Sequence, residues 1–506
     1  MVKKVRESNW NYNRINRFQQ LKTKLLRHKK KRSYDESLRL SRKNLNESKS
    51  FVQKLTSLFT NREFIICLAT TAFVLVVFRI LAVIPLPGVE IEKKADDSNS
   101  FISIFNLLGG GGLSQVSMFA VGVSPYITAQ IIMQLLSTEI VPPLSRLAKS
   151  GELGRRKIEF ITRIVTLPFA VVQAYGIVIL IQTQGFAKFT STSPEMISFY
   201  VVLMSAGTYL AIFMSDVISK RGVGNGVSLI IMSGILSNIP GSFMQMFDKL
   251  LEVVPSSTNP LIGVLACAMY VVFFVLLLLA VVFITLSTRK IPVQQMGEGL
   301  IKDPNELPYL PIKINNGGVI PIIFASSIMS MPITVVQFLP QDTGRWFVED
   351  YFSLQTPVGI TIYGVLVFLF VFLYSYIQTN PEQIAKNFEK SHKFIPGIRS
   401  GVETERYISR VLTRINFFGA PYLAIIAVIP YVFASLLAVP SSIGLGGTGI
   451  VIVVSVALEL WRAINSIYTT TNYQLVYKNM MIAHQDVTAK ESSQQDEGKE
   501  TINQLW

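Results

Sequence analysis

Ten apolar runs punctuate the chain, at about 63–84, 117–137, 158–181, 197–218, 226–247, 261–286, 318–339, 357–379, 415–437 and 447–470, with polar stretches between them. A helix rising 1.5 Å per residue needs about twenty residues to cross roughly 30 Å of hydrocarbon. Each run therefore predicts a spanning helix. Placing the connections alternately on two sides puts 39 of the 47 basic residues on the side of the N-terminus, 5 on the other side and 3 (Arg79, Arg163, Arg462) within spans. Loops rich in Lys and Arg stay on the cytoplasmic side, so both termini are expected there. Five spans precede the connection 248–260 and five follow it. An odd number reverses the second half relative to the first, and inverted halves are a common way to enclose a path between them. The predicted fold class is an all-α integral membrane protein with ten transmembrane helices in two inverted five-helix halves and a short re-entrant plug helix. Its divisions are a basic cytoplasmic N-terminal arm (1–57), a first half (58–247) that includes the re-entrant segment 101–116, an external hinge loop (248–260), a second half (261–470) and a polar cytoplasmic tail (471–506).

Composition agrees with the pattern: 50% of residues are hydrophobic and 16% charged, against about a quarter charged in soluble domains. The charge is concentrated. Residues 1–54 hold 17 Lys and Arg against Glu7, Asp35, Glu36 and Glu47, which is +13 of the formal +15. Such an arm suits anionic lipid headgroups, at ~1 kcal/mol per basic residue near the surface, ahead of phosphate neutralisation on RNA. The arm has no short apolar core with a small-residue cleavage site, so the first span is expected to serve as its own insertion signal. Cys67 and Cys267 both lie in apolar runs, and His28, His392 and His484 are far apart. No disulfide or zinc-type spacing results, and no metal or cofactor is expected.

Several connections are more than linkers. In 85–116, the apolar piece Phe101–Leu108 is too short to span and ends in Gly109–Gly112, so it is expected to rest in the interface or to re-enter a cavity lined by protein. It reads either as a packing helix or as a movable stopper on a glycine hinge. The stretches 287–317 and 380–414 are long, and the second carries Lys386, Lys390, Lys393, Arg399, Arg406, Arg410 and Arg414. Docking and topology explain that charge equally well. The three arginines within spans lie toward span ends, where snorkelling to the interface is expected, and Glu459 is expected to pair with Arg462 at i, i+3.

The run Ser117–Leu136 (SMFAVGVSPYITAQIIMQLL) and the run Ile212–Ile230 (IFMSDVISKRGVGNGVSLI) resemble two long signatures of the SecY family of protein-translocation channels, bacterial and plastid branch. Arg79 with Pro85–Gly88, Gly151–Lys157, Gly318–Pro321 with Phe324–Ser327, Asn380–Pro381, Pro396–Arg399 and Gly446–Thr448 match as well, so the resemblance covers about 58–475. It implies an hourglass channel that passes unfolded preproteins and releases apolar segments sideways into lipid. A channel for varied chains needs an apolar constriction that seals without imposing fixed hydrogen bonds. The resemblance places that ring on Val123, Ile127, Val227, Ile231, Val319, Ile323 and Ile452; the plug on Phe101, Ile104, Phe105, Asn106, Leu107, Leu108, Gly109 and Gly110; and a polar lateral gate on Thr128, Gln173 and Asn315. Docking falls on Arg289, Lys290 and Arg399.

The partners implied are SecE-type and SecG-type small membrane subunits, the SecA motor, the ribosome, signal sequences and preproteins, with anionic lipid around the arm. The implied location is a bacterial plasma membrane in preference to a thylakoid. Two departures stand out. Val293–Asn305 has Lys302 as its sole basic residue beside Glu298 and Asp303, and Asp216 stands where the family often has Glu. The acid is expected to support the adjacent Arg-Gly turn. An alternative from another class is a secondary transporter of inverted-repeat type. An enzyme is not expected, because no nucleophile–base pair, carboxylate pair or GxxxxGK[ST] loop occurs.

Overall fold

In the computed structural model the described residues are 62–91, 109, 111–137, 141–184, 187–189, 193–253, 260–295, 308–336, 345–354, 356–436, 449–467 and 469–470. The contacts divide the chain into a core unit, Cys67–Ile464, and a second unit formed by the two ends, Met1–Ile66 with Asn465–Trp506. What is said below of packing belongs to the core unit. Described residues of the end unit are the first turn of one helix and the last turn of another.

The helices are α1 (Arg62–Val83), α2 (Ser124–Leu135), α3 (Pro142–Lys149), α4 (Glu152–Gln184), α5 (Pro194–Arg221), α6 (Gly226–Val253), α7 (Pro260–Leu286), α8 (Ile320–Val336), α9 (Arg345–Phe352), α10 (Pro357–Gln378), α11 (Pro381–Lys390), α12 (Val402–Leu436) and α13 (Gly449–Ile467). Among the described residues seven helices are long and apolar enough to cross a membrane: 64–83, 152–182, 194–221, 267–286, 357–390, 402–433 and 449–467. Two shorter apolar helices, Gly226–Gly241 and Ile320–Pro332, fall in two more of the expected runs. α2 holds 12 residues of the run 117–137, α8 holds 17 residues, and the apolar part of α6 ends at Gly241.

α2 is short because the chain before it is committed to turns. The Ser117 hydroxyl donates to the Gly112 carbonyl and accepts from the Phe119 amide, at 3.0 and 3.2 Å. Gly122 then takes φ +56°, which a β-carbon disfavours. Ser124–Pro125 opens the helix at its first two positions. At the other extreme, α12 begins well before its apolar run and carries Arg406, Arg410 and Arg414 on its first turns. The expected loop 380–414 is thus mostly α11 and the start of α12. Similarly α6 runs to Val253, so the connection expected at 248–260 narrows to 254–259, which lies outside the described residues.

α2, α4, α5 and α6 pack in one set and α8, α10 and α12 in another, and α8 lies against both α2 and α4. Three two-stranded antiparallel sheets add strand to an otherwise helical fold. β1 (Val89–Ile91) pairs with β2 (Ala187–Phe189), β3 (Thr288–Pro292) with β5 (Tyr309–Lys313), and β4 (Gln294–Gln295) with β6 (Lys393–Phe394).

Candidate channel constriction and gate

The ring residues sit in the first turns of their helices. Val123 is the residue before α2, and its carbonyl accepts from the Ile127 amide. Val227 is the second residue of α6, after a turn in which Gly224 has φ +86°, the Asn225 side chain accepts from the Val227 amide at 3.1 Å and the Ser219 hydroxyl accepts from the Gly226 amide at 2.9 Å. Thr71 of α1 holds the same turn, its hydroxyl accepting from the Val223 amide at 3.0 Å. Val319 follows Gly318, with φ +62°, and its carbonyl accepts from the Ile322 and Ile323 amides. Starting each helix at a glycine turn points its first-turn pair, four residues apart, along one face.

All seven residues fall in one apolar cluster: Val123, Ile127, Ile231, Val319, Ile323 and Ile452 are buried in it, and half-buried Val227 packs against it. That cluster is the main apolar core of the unit, and α2, α6, α8 and α13 and the residues just before them contribute these seven side chains to it. Phe78 and Phe119 meet edge to face in the same cluster, ring centroids 5.0 Å apart.

Of the plug residues, Phe101, Ile104, Phe105, Asn106, Leu107, Leu108 and Gly110 lie outside the described residues. Gly109 is described and buried, and its backbone is against Gly122: a β-carbon on Gly122 would lie 2.0 Å from the Gly109 carbonyl oxygen. Gly111 is enclosed by α1 and α6, where a β-carbon would lie 2.9 Å from Arg79 Nη1 and 3.5 Å from the Gly234 carbonyl and the Ser237 hydroxyl. Arg79 therefore reaches inward to the glycine run, where snorkelling was expected.

Thr128 on α2, Gln173 on α4 and Asn315 in the lead-in to α8 are all buried, on three elements whose helices meet. Their polar groups are poorly matched. The Thr128 hydroxyl donates back to the Ser124 carbonyl of its own helix at 3.2 Å, and Gln173 Oε1, Asn315 Oδ1 and Ser124 Oγ have no partner among the described residues. A buried amide oxygen without a donor costs about 1–3 kcal/mol, so this contact between the two helix sets is held weakly by its polar atoms.

Arg289 and Lys290 are exposed on β3, and Arg399 is exposed in the turn after β6. The pairing of β4 with β6 joins their two connections, and Ile291, Ile312, Ile395, Ile408 and Leu412 form a small apolar core beneath them. Lys290 Nζ stands 4.8 Å from the centre of the Tyr309 ring. Sequence reasoning found these basic residues singly. Their union was signalled faintly, by the i, i+4 pair Ile408 and Leu412 in an otherwise polar stretch.

Asp216 corrects another expectation. Its carboxylate receives Arg163 Nη2 at 2.5 Å, and Glu159 receives the same nitrogen at 3.3 Å. The acid ties α5 to α4, and the Tyr209 hydroxyl adds a 2.7 Å bond to the Arg163 carbonyl. A charge pair across two packed helices removes the need for either ion to reach water. Arg462 donates to the Thr285 carbonyl at the end of α7.

Solved structures share this arrangement of helices. One, described as the structure of a protein conducting channel, superposes with a TM-score of 0.59 at 19% identity, over 79% of this chain and 91% of that chain. Another, described as Sec61 in the canine ribosome–channel complex from the endoplasmic reticulum, gives 0.57 at 18% identity with the same coverage. The family profile for SecY matches residues 117–461. Relatives named protein translocase subunit SecY are 56% identical over 435 residues in Mycoplasmoides gallisepticum (85% of this chain, 87% of the relative) and 52% over 470 in Mycoplasma pneumoniae (91% and 98%). The chain belongs to the SecY family. It is a multi-pass membrane protein and the pore-forming subunit of a protein translocase.

Proposed function

We propose that unfolded preproteins cross the membrane through the ring Val123, Ile127, Val227, Ile231, Val319, Ile323 and Ile452, and that apolar segments leave sideways between α8 and the pair α2 and α4. The observation that carries this reading is the single buried apolar cluster into which four helices place all seven ring side chains. Apolar walls yield to any passing side chain because they demand no particular hydrogen bond. The polar seam of Thr128, Gln173 and Asn315 is the natural place to part, since a signal helix replaces contacts of little net strength there.

In this reading the three shorter helices complete ten spans in two inverted halves with both termini in the cytoplasm, in a bacterial plasma membrane. The segment 101–116 is the plug, with Gly109 against Gly122. SecE-type and SecG-type subunits complete the channel, and a SecA motor or a ribosome docks on the joined platform of Arg289, Lys290 and Arg399, with anionic lipid against the basic arm. The platform also answers the shortage of basic residues in 293–305: pairing with β6 lets the second connection supply them.

Reconstitution with a SecE-type partner in liposomes tests the proposal. Unfolded preprotein should enter the vesicles, and a disulfide between cysteines placed at Thr128 and Asn315 should stop it, with reduction restoring it. Export unaffected by that bond puts the exit elsewhere, and substrate-coupled uptake of a small solute in place of preprotein returns the transporter reading.

A further inference from the structure

The lead-in to α8, Ile314–Gly318, is gripped from two sides. Asn316 Nδ2 donates to the Thr379 hydroxyl at the end of α10. The Ile314 carbonyl oxygen lies 2.8 Å from where a β-carbon on Gly419 of α12 would stand, and a β-carbon on Gly317 would meet the Tyr374 ring at 3.3 Å. One turn below Thr379, the Ser375 hydroxyl donates to Asn416 Oδ1 at 2.8 Å, and Asn416 is three residues from Gly419. Residues three or four apart share a helix face. Asn315, between Ile314 on Gly419 and Asn316 on Thr379, is therefore held in the same layer as the Ser375–Asn416 pair.

Two amide atoms in this layer are unmatched. Asn416 is 1% exposed and its Nδ2 has no partner among the described residues, and Asn315 is 6% exposed and its Oδ1 has none. One is a donor and the other an acceptor. Buried amides without partners are rare and call for a physical account. Gly318, at φ +62° with nothing within 4 Å of a β-carbon, leaves the backbone beside them room to turn.

Resting on the lateral-gate reading above, we propose that the Ser375–Asn416 pair is the receiving half of a latch: when α8 parts from α2 and α4, the Asn315 carboxamide turns onto Asn416 and holds the gate open. In the closed arrangement both amides are underused, which lowers the cost of leaving it. In the open one they satisfy each other, so opening exchanges one set of polar contacts for another and exposes no bare amide to lipid. Asn416 and Ser375 act as positioning residues for α8.

Cysteine pairs in the reconstituted channel, with Cys67→Ser and Cys267→Ser as background, read both steps. With a preprotein stalled in the channel, disulfide formation between Thr128→Cys and Asn315→Cys should fall. Between Asn315→Cys and Asn416→Cys, which reports the approach of the two positions, it should rise about tenfold. If the first pair does not respond to the stalled chain, the gate reading fails. If the first falls and the second does not rise, the gate stands and the latch is wrong. Asn416→Leu provides the second arm, because leucine fills a similar volume and has no donor for Asn315, while the Ser375 hydroxyl can return to a carbonyl one turn back in its own helix. It should slow export of preproteins with weakly apolar signals while sparing strongly apolar ones. Equal slowing of both classes overturns the proposal.

Discussion

Replacing Gly122 with alanine separates two effects of a β-carbon at the constriction. The φ of +56° costs an L side chain about 1–2 kcal/mol, and that strain is present whenever the turn before α2 is formed, with the gate open or shut. It lowers stability without favouring either. The second effect is steric and belongs to the arrangement in which Gly109 lies against Gly122. The new carbon would stand 2.0 Å from the Gly109 carbonyl oxygen, where contacts under 3.0 Å are essentially never found, so two backbone segments must part by about 1 Å. Overpacking of this kind costs roughly 1–3 kcal/mol, and it is relieved if the glycine run moves away. At about 1.4 kcal/mol per factor of ten, the unsealed population should rise about 5- to 150-fold. Planar-bilayer recording of resting ion current without substrate is the assay. Gly401→Ala is the control: its φ is +97° and nothing lies within 4 Å of a β-carbon there, so it carries the backbone strain without the clash. It should lower the melting temperature and leave the resting current alone. A Gly122→Ala channel as tight as the wild type, or a Gly401→Ala channel that leaks equally, would refute the reasoning.

Two further outcomes follow from side chains that the structure places. Arg163→Gln should destabilise the detergent-solubilised protein by about 1–3 kcal/mol, between the cost of breaking a buried pair and that of an exposed one, because the Arg163 and Asp216 side chains are 33% and 19% exposed. Thermal unfolding with Asp216→Asn in a double-mutant cycle checks it, and additive losses would show that the pair is not coupled. Lys313 is held below the ordinary lysine range by burial first and by the Arg462 charge second, with Glu459 opposing. Its folded form binds its proton less firmly than the unfolded form, so the penalty is full at neutral pH and is relieved as pH rises through the interval up to the ordinary value of 10.5. Lys313→Gln should therefore melt above the wild type near pH 8 and converge with it above pH 10.5, as a melting series across that range will register.

Much of the architecture was legible because the bilayer imposes a strong length rule on apolar runs. α4, α5, α10 and α13 fall where their runs predicted them, within a few residues. α2 departs because hydropathy does not register that Gly122, early in the run 117–137, turns the chain before the helix starts. The Ser117 hydroxyl and the Gly109 backbone enforce that turn through contacts absent from any local window. The ring residues were found by resemblance to family motifs. Their spacing alone did not distinguish Ile231 from any other isoleucine in a spanning helix. Asp216 was assigned to the turn beside it because sequence proximity was the available clue, whereas its partner Arg163 is on the preceding helix.

By itself the sequence determined the solvent, the recurrence of apolar segments and the family, because each follows from composition and order along one chain. Tertiary structure alone decided which residues meet. It set Val123, Ile127, Ile231, Val319, Ile323 and Ile452 in one cluster, joined Arg289 and Arg399 through β4 and β6, and left Asn315 and Asn416 buried in one layer with unmatched amides. Most of those pairings join residues about ninety or more apart in the chain. They depend on where helices start and how they pack, and glycine turns, more than hydropathy, set those starting points.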